Sequence, residues 1–241
     1  MPNPSSSQMA EAERLLRMRL AATNVMESEC EDLFREAIAR IAVIMSRYRR
    51  KGKRIHIFGN SRCATEIQEV IDWLLDEYEN RIHLLCVPSE DAESEDKTVV
   101  TGIYNRVFDS KDHDYTFHER ISADRQMLLL SLSSIDFDHI AVISQDGRTW
   151  PSESPQSFIT TITSVTRKPT HRLLLLALTS VGIGYVTSLL LHAIREGKTG
   201  YFIINGSNPC RYCASVEGYH KIEESLFPPF HPYCQCGIVF E

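Results

Sequence analysis

Apolar residues recur at three- and four-residue steps through the first fifty positions, and charged residues fill the gaps. The step is clearest among five large apolar residues: Leu33, Phe34, Ile38, Ile41 and Ile44. Such a period puts apolar side chains on one face of a helix. We predict a disordered tail at 1–8, rich in Pro, Asn and Ser, and a helical arm over 9–52. The arm is interpreted either as a layer packed on a domain or as a surface for self-association or partner docking.

A different pattern follows the arm. Residues 54–58 (Arg-Ile-His-Ile-Phe) and 81–87 (Arg-Ile-His-Leu-Leu-Cys-Val) are predicted strands, with an amphipathic helix between them at 67–75. Strand, Gly turn, helix and strand form a βαβ unit, whose crossover makes the strands parallel. With a further strand predicted at 139–143, the pattern indicates an α/β fold with a central parallel sheet in a domain over 53–150.

A turn-rich segment at 150–155 begins the C-terminal module, 151–241. After it we predict a helix, an apolar segment at 173–178, a helix at 184–195 and strands at 201–205 and 237–240. This order is typical of a small α+β module.

Composition places the chain among globular proteins. Of its 241 residues, 43% are hydrophobic and 24% charged, and a net charge of −6 disfavours a protein that coats nucleic acid. The longest apolar runs, 173–178 and 189–191, are too short for a membrane span, so no membrane partner is expected. Seven cysteines without a secretory signal predict a reducing, cytoplasmic location.

The candidate chemistry lies at the end of the chain, where cysteines form a Cys-x-x-Cys and a Cys-x-Cys pair beside a histidine. The candidate ligands are Cys210, Cys213, His231, Cys234 and Cys236. Two such knuckles can close on one tetrahedral zinc ion, and we predict a structural zinc site formed by four of the five residues. Disulfides and ordinary buried thiols are the alternatives.

The order of these residues resembles the C-terminal module of phage head morphogenesis proteins, the minor capsid proteins. The match covers roughly residues 150–241 and includes Cys-x-x-Cys, a Gly, a strand-like stretch and Pro-Pro-x-His-Pro-x-Cys-x-Cys. The resemblance implies a non-enzymatic structural protein that joins portal or capsid during virion assembly. Its location would then be the host cytoplasm or the virion.

A second resemblance, over about 30–150, is to the sugar isomerase fold, which binds phosphosugars. Two loops resemble the phosphate-binding loops of that family. The matching residues are Gly59, Asn60 and Ser61 in the first loop and Ser144, Gly147 and Thr149 in the second. Asp146 replaces a phosphate-facing Ser, and its carboxylate would repel phosphate, so a degenerate site is expected. The implied alternative is a phosphosugar-binding regulator or isomerase with a phosphorylated small molecule as ligand.

A third alternative is a zinc-dependent hydrolase or deaminase that uses the terminal site. Deaminases place His-x-Glu before Pro-Cys-x-x-Cys. The chain has Pro209 and Cys210 in that context but contains no His-x-Glu, so this alternative is the weakest. No catalytic residue is assigned, and the balance favours a protein that is not an enzyme.

Overall fold

The structure is a computed structural model that describes residues 4–48, 61–86, 117–135, 141–143, 149–151, 155–224, 226–231 and 234–241. These ranges are mostly helical. The helices are α1 (Ser6–Tyr48), α2 (Arg62–Cys86), α3 (Phe117–Ser133), α4 (Pro155–Arg195) and α5 (Arg211–Ser215). The strands are β1 (Ala141–Ile143), β2 (Thr149–Pro151), β3 (Gly200–Ile204), β4 (Gly218–Lys221) and β5 (Gly237–Phe240), and a short 3-10 helix covers Ile222–Glu224.

The predicted central parallel sheet is wrong for the described part of the chain. The second predicted strand is helical, because α2 runs through Cys86. The first, at 54–58, lies outside the described residues. Residues 141–143 do form a strand, but β1 pairs with β2 antiparallel, with Ala141 opposite Pro151. The fold is therefore mainly helical with small antiparallel sheets.

The helical period explains why residues 81–86 join α2. The buried face of this helix advances in steps of three and four residues, through Ile67, Ile71, Leu74, Tyr78 and Ile82. Ile82, which is 2% exposed, continues that face. A short apolar run fits both the helical period and the two-residue period of a strand, and here burial of the helical face decides in favour of the helix.

The chain divides into two compact units, and one of them comprises Glu29–Asn80 and His118–Leu174. Its core holds Tyr78, which is fully buried and donates its hydroxyl hydrogen bond to the carbonyl of Leu173. Arg172 reaches the buried carboxylate of Asp124 at 3.0 Å. Leu128, Leu129 and Leu132 of α3 are buried in the same unit.

The other unit comprises Met1–Ser28, Arg81–Phe117 and Leu175–Glu241. Its three-stranded antiparallel sheet has the order β4-β3-β5, which confirms the predicted strands near 201–205 and 237–240. Tyr201 of β3 is fully buried, stacks on Phe227 at 4.9 Å between ring centroids and donates to the carbonyl of Leu226 at 2.7 Å.

Helix α4 is continuous where two helices and an apolar segment were predicted. Within it, Ile159–Arg195 is long and apolar enough to cross a membrane by length and composition, with a mean hydropathy of 2.0 in its most apolar window. The sequence expectation concerned uninterrupted apolar runs, and the absence of a membrane partner stays a prediction. Because 72% of that window is buried inside the protein, the helix also has the properties of a core helix, and one such helix is weak support for a membrane location.

Two leucines of α3 test the assignment of its buried face. Leu132 is 1% exposed and Leu130 is 59% exposed. We expect Leu132→Ala to lower the free energy of unfolding by about 2–5 kcal/mol, because it leaves a cavity, and Leu130→Ala to change it by less than about 0.5 kcal/mol. Urea unfolding measures both. Equal losses at the two positions would contradict the assigned face.

Candidate metal centre

The first pair of cysteines is arranged by the short helix α5. Cys210 precedes the helix in an extended conformation, and its sulfur accepts a hydrogen bond from the backbone N–H of Cys213 at 3.4 Å. The free N–H groups of a helix N-terminus need such acceptors. One turn of helix therefore brings the side chains of Cys210 and Cys213 to the same side.

The second group of ligands comes from the turn that leads into β5. The backbone N–H of Cys234 donates to the carbonyl of His231 at 3.1 Å, which closes a turn between these two residues. Two residues later Cys236 directly precedes β5, which pairs with the central strand β3. The sheet thus holds this group beside α5.

All five predicted ligands lie in one cluster. Two triads, Cys210–Cys213–His231 and Cys213–Cys234–Cys236, share Cys213, and the ligand atoms within each triad lie within 4.8 Å of one another. The Nε2 of His231 is 3.3 Å from the sulfurs of both Cys210 and Cys213. The sulfurs of Cys213 and Cys234 are 3.8 Å apart.

These separations suit a tetrahedral ion. With Zn–S bonds of about 2.3 Å and Zn–N bonds of about 2.0 Å, the edges of the tetrahedron are about 3.8 Å between sulfurs and about 3.5 Å between sulfur and nitrogen. A disulfide needs sulfurs about 2.05 Å apart. The four cysteines of the cluster are free thiols, as are Cys30 and Cys63. The cluster could therefore hold a metal ion.

The environment divides the thiols into two classes. The hydrogen bond from the Cys236 side chain lowers the pKa of Cys234 to about 5. The backbone N–H of Cys213 lowers the pKa of Cys210. Burial raises the pKa of Cys213 to about 12, and the hydrogen bond to Cys234 raises the pKa of Cys236. Since the thiolate is the form that binds metal, ligation by Cys213 or Cys236 would release a proton.

A buried amide next to the cluster tests whether the donor set suits a metal. The Oδ1 atom of Asn205 accepts a hydrogen bond from the sulfur of Cys236 at 3.2 Å, while its buried Nδ2 has no hydrogen-bond partner. Exchange of the amide oxygen and nitrogen would present an N–H group to the same sulfur. That arrangement gives the N–H donor a partner when Cys236 is a thiolate, and it places the amide oxygen where Nδ2 now has no partner. An N–H donor beside a ligand sulfur is compatible with a bound cation.

Sequence reasoning missed the buried cation behind the cluster. Arg19 of α1 is only 6% exposed, and it donates to the carbonyl of Cys236 at 2.6 Å and to the carbonyl of Cys234. Burial lowers the pKa of its guanidinium, and the two neighbouring cysteines oppose that shift. A signal was present, because Arg19 stands seven residues after Ala12 and seven before Met26, both of which are buried.

The predicted anion-binding loops are only partly described. Gly59, Asn60, Ser144 and Gly147 lie outside the described residues. Ser61 caps α2, because its hydroxyl oxygen accepts from the N–H of Ala64 at 3.2 Å, and Thr149 belongs to β2. In the described residues these positions have structural roles, and whether the complete loops bind an anion stays a prediction.

Cys213 belongs to both triads, so its loss should remove the site. We expect Cys213→Ser to weaken Co²⁺ binding by more than the roughly 10–100-fold that removal of an outer-shell partner costs. Cys63→Ser is the matched control, since Cys63 is also a buried free thiol but lies in the other unit. Titration followed by thiolate-to-cobalt absorption measures both affinities. Unchanged binding in Cys213→Ser would show that the cluster is not the site.

The metal centre is inferred from the positions of its five side chains. The resemblance of the Cys/His ending to phage head morphogenesis proteins stays a prediction, as does the resemblance to sugar isomerases. Comparisons of the chain with protein-family models, with curated proteins and with solved structures found no significant match.

Proposed function

We propose that the chain is a non-enzymatic structural protein with a structural zinc ion in its C-terminal module, and that it acts in particle assembly as a phage minor head protein. The zinc site is supported by the geometry of the cluster. The assembly role is supported by the resemblance of the Cys/His ending to the head morphogenesis proteins.

The observation that carries a structural metal is the burial of three of the four candidate thiols, since only Cys210 is exposed. Cys213, Cys234 and Cys236 are 2%, 3% and 1% exposed and belong to the same hydrophobic cluster as Tyr201 and Ile238. Structural zinc sites are closed by four protein ligands, whereas catalytic sites keep a position for water or substrate. An ion surrounded by the core of a small sheet stabilises the fold because the ligands come together only when the chain is folded.

The ligand types favour zinc over other ions. Thiolate and imidazole ligands in a tetrahedral arrangement select zinc or an iron–sulfur centre, and hard ions such as Mg²⁺ and Ca²⁺ prefer oxygen. His231 supplies one nitrogen, and its Nε2 lies at equal distances from two sulfurs. Cys₃His is a common structural zinc set, and it would leave one of the four cysteines as a neighbour of the ion.

The alternatives have less support. The phosphosugar alternative depends on a parallel βαβ unit, which the described residues do not contain. A hydrolase or deaminase needs a general acid or base beside the ion. The nearby Glu224 is engaged otherwise, because its carboxylate pairs with His220 at 3.0 Å.

Zinc content and its effect on stability test the metal. We expect about one zinc per chain by elemental analysis, and loss of that zinc in Cys234→Ser. If the ion contributes about 3 kcal/mol, its removal lowers the melting temperature by roughly 6–12 °C. Cys30→Ser, at a buried thiol of α1 remote in sequence from the cluster, is the control that should retain zinc. Protein without zinc, with the same melting temperature before and after chelation, would refute the structural ion.

Purification of phage heads from cells that produce a tagged copy of the chain tests the assembly role. We expect the chain to sediment with portal or capsid protein, and Cys213→Ser to reduce that association because the module is destabilised. A chain that never associates with heads, and that instead gains several degrees of thermal stability from a hexosamine phosphate, would favour the phosphosugar alternative.

A further inference from the structure

A buried positive charge in α1 meets the ligand-bearing turn. The guanidinium of Arg19 donates from Nη1 to the carbonyl of Cys236 at 2.6 Å and from Nη2 to the carbonyl of Cys234. These acceptors lie 217 and 215 residues away along the chain. In the described residues no carboxylate forms a salt bridge with Arg19, although a buried charge normally requires a partner.

The negative charge that suits Arg19 is that of a loaded metal centre. Three thiolates, one neutral imidazole and one divalent ion leave a single net negative charge, and four thiolates leave two. The carbonyls that Arg19 binds belong to two of the candidate ligands, so the guanidinium lies directly behind them. Arg19 is thus placed to offset the charge of the centre and to fix the backbone that carries its ligands.

The opposite wall of this site is a glycine of α4. A Cβ atom at Gly182 would lie 2.5 Å from Nη2 of Arg19 and 3.1 Å from its Cζ. Both distances are shorter than a normal contact between non-bonded atoms, so any larger residue at 182 would displace the guanidinium. The absence of a side chain there leaves the space that Arg19 occupies.

We propose that Arg19 is the positioning residue of the metal centre, so that metal affinity and the docking of residues 6–28 of α1 depend on each other. This inference rests on the proposed zinc site. Arg19 acts through the carbonyls of Cys234 and Cys236 and does not itself touch the ion. Because linkage is reciprocal, metal binding should strengthen the docking of residues 6–28 by the same free energy by which that docking strengthens metal binding.

Substitution of Arg19 by Met separates this role from ordinary packing. Met fills similar space without charge, and replacement of a buried charge by an apolar residue is often neutral for stability. We therefore expect Arg19→Met to fold without metal about as well as the unaltered chain, and to bind Co²⁺ about 10–100-fold more weakly. Arg19→Lys keeps the charge but lacks the planar fork that reaches both carbonyls, so its affinity should be intermediate.

Arg17→Met is the matched control on the same helix. Arg17 has a side chain that is 74% exposed and pairs with Glu13, so metal affinity should not change. Gly182→Ala should weaken the metal as Arg19→Met does, and the double variant should lose little more, because both changes remove the same contact. Competition with a chromophoric chelator measures the affinity of the unaltered chain and of each variant, and thermal unfolding with and without metal measures the stabilisation that each variant retains.

The outcomes are distinguishable. No metal binding by the unaltered chain would overturn the proposed zinc site and this inference with it. Metal binding that is equally tight in the unaltered chain, Arg17→Met and Arg19→Met would leave the zinc site and overturn the positioning role. If Arg19→Met does not fold, Arg19→Lys and Gly182→Ala decide: tight binding in both overturns the proposal. An equal fall in melting temperature with and without metal would also overturn it, since it indicates packing alone.

Discussion

A buried guanidinium must satisfy its charge and its N–H donors without water, and the unit that contains the metal cluster is arranged around this requirement. Arg19 meets it with the carbonyls of Cys234 and Cys236, which tie the first helix to the last turn before β5. The contact joins residues more than 200 positions apart. One side chain thereby joins the N-terminal half of α1 to the backbone that carries two thiols.

The small sheet shows why such a unit benefits from an ion. Three strands of four or five residues provide a limited apolar core, and three of the residues in that core are thiols. A bound metal would convert these weakly interacting side chains into a cross-link between α5 and the turn before β5. Tyr201 and Phe227 supply the aromatic packing beside it. An ion held by this cluster would therefore stabilise the same few residues that apolar burial stabilises.

The metal cluster was predictable from sequence because its geometry is mostly local. Cys210 and Cys213 are one helical turn apart, and a single turn joins His231 to Cys234, so only the approach of the two groups needed the fold. The central sheet was predicted wrongly because a six-residue run such as 81–86 satisfies both helical and strand periods. Arg19 and Asn205 were missed because their partners are distant in sequence. The spacing of Arg19 from Ala12 and Met26 indicates its helix face but not the residues that it contacts.

The sequence by itself indicated an N-terminal helical arm, the strands β3 and β5 and the five metal-ligand candidates. Each of these follows from spacing within a short segment, where the period of the backbone decides which side chains share a face. Only the tertiary structure decided that residues 81–86 continue α2, that β1 pairs antiparallel with β2, and that Arg19 passes Gly182 to reach the cluster. These features depend on burial and on contacts between segments that are distant in sequence, and neither can be predicted from the spacing of residues within one segment.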